Sequence, residues 1–227
     1  MISTNGSEAA YWHDYVLMHS EIAVAIDSFY ILREIHKFAS EGTENYNKIN
    51  KAARVWSVNL YGLQTAFFIT VGRIFDCSKD SHSLKRLFDE TEKHPEYFTK
   101  AALSARKTES GVQAAHLPAL LVDAWEPTAG DLRCFNDLLT PWQQKYKVMY
   151  QPIRHKAFAH RDLVLDPDHL FSQAQISDID DLLYALYDSV ECLWSLYHNG
   201  IKPDFGKRSY DFRARIKSET RQMVNAL

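Results

Sequence analysis

Ile153-Arg154-His155-Lys156-Ala157-Phe158-Ala159-His160-Arg161-Asp162 continues a run of apolar residues at helical spacing, Trp142, Tyr146, Met149 and Ile153. Stepping on by four and then three residues reaches Ala157 and His160, so the segment reads as the end of a helix with His160 on its inner face. On such a stripe the ordinary outcome is a buried histidine with its hydrogen bonds satisfied. Two features argue otherwise. Pro152 has no amide donor and crowds the carbonyl of Val148, which predicts a disturbed turn just before Arg154. Arg161 and Asp162 follow at the helix end, where a cation beside a carboxylate serves little packing purpose. An arginine and a histidine held at one phosphate can cleave RNA without a metal. The imidazole moves a proton near neutral pH, and the guanidinium fork holds oxygens that gain charge in the transition state. A straight helix would set Arg154 and His160 about 120° apart around its axis. The arginine must therefore curl, the turn must rotate it, or two subunits must share one site.

Five residues separate Arg154 from His160, and the segment resembles the Arg-(four to six residues)-His motif of the HEPN superfamily, many of whose members are ribonucleases. An earlier passage, Val71-Gly72-Arg73-Ile74-Phe75-Asp76-Cys77-Ser78-Lys79-Asp80-Ser81-His82-Ser83-Leu84, is similar to the R-x-F-D … S-x-S-L stretch of the abortive-infection-associated, AbiU2-like branch, which also ends its motif in K-x-x-A-H-R-D. His155 departs from the commonest form, where a polar residue such as asparagine follows the arginine. The resemblance covers roughly residues 10 to 200. It implies an all-α, HEPN-like antiparallel helical bundle that forms a two-fold homodimer, with both motifs lining a shared cleft.

The implied chemistry is attack of a ribose 2′-hydroxyl on the adjacent phosphate, giving a 2′,3′-cyclic phosphate and a free 5′-hydroxyl. Arg154 and His160 are the catalytic candidates. His155 and Lys156 are either phosphate contacts or cations favoured by the helix C-terminus. Asp162 either orients an imidazole or pairs with Arg161. Arg73 and Asp76, three apart, are expected to form an intrahelical ion pair, with substrate contact as the other reading. No cofactor is expected, and the ten histidines show no metal-ligand spacing. The expected partners are an RNA substrate, a second copy of the chain, and a cognate antitoxin or defence-system partner. A non-catalytic RNA-binding or protein-interaction module on the same fold is the second reading, and a structural dimerisation subunit the third.

With 227 residues, 46% of them apolar and 13% aromatic, the chain has material for one sizeable core. Glycines (8) and prolines (7) are sparse, so helices dominate. Stripes predict helices over 11–39, over 46–75 with Gly62 and Gly72 as points of close approach, and over 177–198 with Asn199-Gly200 as the stop. Ser83 suits the cap of a helix over 84–93, Pro95 the first turn of one reaching Lys107, and Thr140 the cap of one with Pro141 first. Residues 81–130 read as a helical insertion decorating a 1–200 domain, and 163–176 as a connecting loop.

The C-terminal segment 201–227 reads as a basic tail helix. It carries seven Lys/Arg against three acids, a local +4 that leaves −7 on the rest of a chain whose net charge is −3. Phe212, Ile216, Met223 and Leu227 would dock it, presenting Arg213, Arg215 and Arg221 to RNA or to solvent. Cys77, Cys134 and Cys192 show no C-x-x-C pairing, which excludes a zinc ribbon and a disulfide framework and fits a reducing cytoplasm. No signal pattern opens the chain and no run of 18 apolar residues is present, so a cytoplasmic protein with no membrane association is expected.

Overall fold

The structure, a computed structural model, describes residues 6–78, 80–155, 176–206 and 211–226. All its regular elements are helical. A long first helix, α1 (Gly6–Ser40), is the axis on which α3 (Ala53–Ile74), α10 (Ile176–Asn199) and α11 (Phe212–Asn225) pack, with α2 (Thr43–Asn50) and α4 (Leu84–Lys93) at its two ends. Met18, Ile22, Ala25, Ile26 and Phe29 form the inward stripe of α1. They meet Phe67, Phe68, Val71 and Ile74 of α3 and Leu182, Leu183, Leu186, Val190 and Leu193 of α10, all buried. By length and composition Ser7–Ser40 is apolar enough to cross a membrane, but those apolar residues are spent inside the bundle.

The 46–75 stripe is two helices rather than one. Ile49 turns into a small second cluster with Ile35, Phe38 and Val224, and the chain bends at Lys51 and Ala52, whose amides donate to Asn47 and Ile49, before α3 begins. Ser83 caps α4 as expected, its hydroxyl accepting from the Arg86 amide at 3.3 Å. Pro95 starts only a 3₁₀ turn (Pro95–Phe98). A second cap, Thr99, whose hydroxyl accepts from the Ala102 amide at 3.2 Å, restarts the chain as α5 (Lys100–Glu109). The 81–130 segment does not simply decorate the bundle. Leu84, Leu87 and Phe88 are fully buried, Phe88 against Phe135, and only the stretch through α6 (Leu117–Leu121) lies on the surface.

After α7 (Ala129–Leu132), α8 (Cys134–Lys145) runs straight through Thr140 and Pro141. Thr140 is not an N-cap: its hydroxyl donates to the Asn136 carbonyl at 2.8 Å, an interior bond one turn back. Likewise 201–227 is no loose tail. Phe212 stacks on Tyr184 at 4.8 Å, and Phe212, Ile216, Thr220 and Val224 form the buried face of α11. The spacing is four throughout, so Val224 takes the place expected of Met223, which is exposed. At the other end of α10, Gly200 adopts a left-handed φ of 64° as the expected stop, its amide bonded to the Leu196 carbonyl at 2.9 Å.

Candidate functional site

The helix feeding the motif widens where Pro152 predicts a disturbance. Tyr146–Tyr150 form a π turn in which the Gln151 amide donates to the Tyr146 carbonyl, five residues back. After the short α9 (Gln151–Ile153), Arg154 and His155 are again in π geometry. The extra residue per turn relieves the clash between the Pro152 ring and the Val148 carbonyl, which points a 70% exposed Val148 at solvent. Tyr146, Tyr150 and Ile153 stay buried, so the widened turn is held from inside. Phe75, at the end of α3, stacks on Tyr146 with centroids 5.1 Å apart and rings 17° from parallel.

Arg154 lies against α3 at Gly72. A Cβ on that glycine would stand 2.9 Å from the arginine Cζ and closer still to Cδ and Nε, so Gly72 is where close approach is required. Gly62 has nothing within 4 Å among the described residues. Arg154 Nε is buried and has no hydrogen-bond partner among the described residues. Two groups feel its charge. Asp76 is held below the usual carboxylate range first by the Ser78 amide and hydroxyl, each 2.9 Å from Oδ1, and then by Arg154. Burial pushes the Tyr146 phenol up, and Arg154 opposes that rise.

Arg73 does not pair with Asp76. It reaches across to Glu21 of α1 at 3.2 Å, while Asp76 turns the other way to cap its own loop through Ser78. Both still belong to one concavity. Leu17, Met18, Glu21, Arg73, Asp76, Ser81 and His82 line a cleft of about 310 Å³, and Asp76 joins that cleft to Arg154. His155 is exposed, its Nε2 3.5 Å from the Gln151 side chain. Lys156, His160, Arg161 and Asp162 lie outside the described residues, as does the expected 163–176 loop up to residue 175.

The three tail arginines do not gather here. Arg221 pairs with Glu34 and Glu41 of α1. Glu34 is thirteen residues from Glu21 along that helix, roughly 20 Å at 1.5 Å per residue. Arg215 pairs with Glu219 at 2.8 Å, and Arg213 contacts Asp211 and lies over the Tyr184 ring, 5.0 Å from its centroid. Sequence reasoning passed over Asp14 and His82 altogether. No short-range spacing marks them, because 68 residues separate them.

Among the described residues no group of three or more His, Cys, Asp or Glu side chains is placed to hold a metal ion. What the cleft offers is a held guanidinium, carboxylates and an imidazole at an open surface. No curated protein and no solved structure matches the chain. A family model does match, over residues 13–215, taking in both sequence passages, the cleft and the start of α11. That span, nearly the whole described bundle, shows that the chain belongs to the AbiU2 family of HEPN-type domains (HEPN_AbiU2).

Proposed function

We propose that the chain is a metal-independent endoribonuclease that cuts RNA by attack of a 2′-hydroxyl on the adjacent phosphate. The observation that carries the proposal is the placement of Arg154. Its guanidinium is wedged against Gly72 beside an open cleft, with Nε free of any partner among the described residues. A cation held this way costs little further entropy when it meets a phosphorane, whose extra charge it stabilises by charge-assisted hydrogen bonds. His160, six positions on, acts as a general base or acid, a role worth roughly 10² to 10⁴ in rate. Membership of a HEPN family supports the same reading.

The working unit in this proposal is a homodimer in which two motifs share one cleft, acting in phage defence or as a toxin under the control of an antitoxin or a defence-system partner. The test is incubation of the protein with total RNA in EDTA beside Arg154→Ala and His160→Ala. Cleavage should persist in EDTA and vanish in both variants. Its products should end in 2′,3′-cyclic phosphate, and a substrate with 2′-deoxyribose at the cut should survive. Cleavage of the deoxy substrate, or a need for added metal, overturns the mechanism.

A further inference from the structure

Asp14 is a carboxylate with only 6% of its surface exposed, on the helix that carries most of the core. At that depth a charge needs partners. They come from the corner that leads into α4: His82 Nδ1 stands 2.6 Å from Oδ1, and Arg86 Nε 3.3 Å from Oδ2. With Nδ1 donating to the carboxylate, the neutral ring carries its proton there and keeps Nε2 as an acceptor. The His82 side chain is 48% exposed and lines the same cleft as Arg73 and Asp76. A buried acid thus fixes the tautomer and direction of a solvent-facing imidazole next to the Arg154 site.

We propose that His82, positioned by Asp14, is the second proton-transfer group of the site; the proposal rests on the ribonuclease reading. Cleavage by a 2′-hydroxyl requires two proton movements. The 2′-oxygen loses its proton as it bonds to phosphorus, and the 5′-oxygen gains one as its bond to phosphorus breaks. One histidine cannot do both in a single concerted step without carrying the proton from one side of the phosphorus to the other. Neutral His82 accepts the 2′-hydroxyl proton at Nε2, and His160 as imidazolium donates to the 5′-oxygen. The proton gained by one equals the proton lost by the other, no electron changes hands, and exchange with water resets both rings. His82 is then a catalytic residue and Asp14 a positioning residue.

The charged and titratable groups that face His82 are Asp14 and His13 of α1, the latter with its ring 6.2 Å away, Arg86 of α4, and across the cleft Glu21, Arg73 and Asp76. His82→Asn is the informative variant. Its amide can still donate to Asp14 and hold the corner, but it cannot take a proton. With the full-length protein and a short RNA, wild-type rates over about pH 5 to 9 should rise and then fall. His82→Asn should be folded, slower by roughly 100-fold or more, and missing the rising limb. Asp14→Asn should retain that limb but displace it.

A second substrate separates the two histidines. Uridine 3′-(4-nitrophenyl phosphate) has a leaving group that needs no proton, so His160→Ala should recover much of its rate on it and His82→Asn should not. If wild type cleaves RNA and folded His82→Asn keeps both limbs at wild-type rate, the assignment of His82 is overturned and the ribonuclease reading stands. If wild type cleaves nothing, both fall. Should His82→Asn fail to fold, His82→Gln carries the same measurement.

Discussion

Arg154 occupies the space that a side chain on Gly72 would fill. An arginine is flexible at its far end, so a methyl group there would move the guanidinium rather than break the helix. Alanine also favours a helix by about 1 kcal/mol over glycine. Gly72→Ala should therefore fold with a stability within about 1 kcal/mol of wild type yet lose cleavage about as completely as Arg154→Ala. Urea midpoints and RNA cleavage on the same preparations check this. A variant that unfolds, or one that cleaves normally, contradicts the wedge.

Phe88 tests whether the 81–130 segment belongs to the core. It is fully buried against Phe135. Phe88→Ala should cost about 3–5 kcal/mol, the usual penalty for emptying such a site. A loss below about 1 kcal/mol would return the segment to the status of an appendage.

The basic C-terminal helix needs point variants, because deleting residues 207–227 would strip Phe212, Ile216 and Val224 from the interior. Arg221→Ala leaves Glu34, only 10% exposed at its side chain, without its donor and should cost roughly 1–3 kcal/mol. Arg215→Ala, at a surface pair, should stay within about 0.5 kcal/mol. If α11 touches RNA, the Arg213→Ala, Arg215→Ala double variant should bind more weakly and lower the salt slope by about 0.7–0.9 for each phosphate that is no longer neutralised. An unchanged slope would make these arginines purely structural.

His198 gives stability a pH dependence of known sign. Burial first, and then Arg106 and Lys107, hold its pKa below the ordinary 6.5. Between the lowered folded value and 6.5 the unfolded chain binds more protons, so stability falls as pH drops through that window and the loss levels off beneath it. Urea midpoints between about pH 7.5 and 5.5 should fall more for wild type than for His198→Gln. Parallel curves would show that His198 titrates alike in both states.

The helices were legible because their apolar stripes are long, and the caps at Ser83 and Gly200 obey local rules. Thr140 and Pro141 misled because a proline pattern that ordinarily opens a helix is here absorbed within one. The join between α2 and α3 was hidden because Ile49 belongs to a cluster supplied by distant parts of the chain, which no local window contains. At the site, the motif announced Arg154, and Pro152 announced its distorted turn. Gly72 was flagged for close approach without any sign that an arginine makes it. The pairing of Arg73 with Glu21 and of Asp14 with His82 depends on how α1 lies against α3 and α4, and only the tertiary packing brings those pairs together.

The seating of α11 on α1 has a consequence for how the protein is made. The first helix to leave the ribosome is completed by the last. Until residues 212–224 have been synthesised, Tyr30 and Glu34 lack Phe212 and Arg221, and Val224 is missing from the cluster with Ile35 and Phe38. A nascent or truncated chain thus exposes an apolar strip on α1 and is a substrate for chaperones and proteases rather than a finished fold. Synthesis to the end of the message becomes a condition of maturity, and a chain broken off early is marked for removal by the surface it fails to cover.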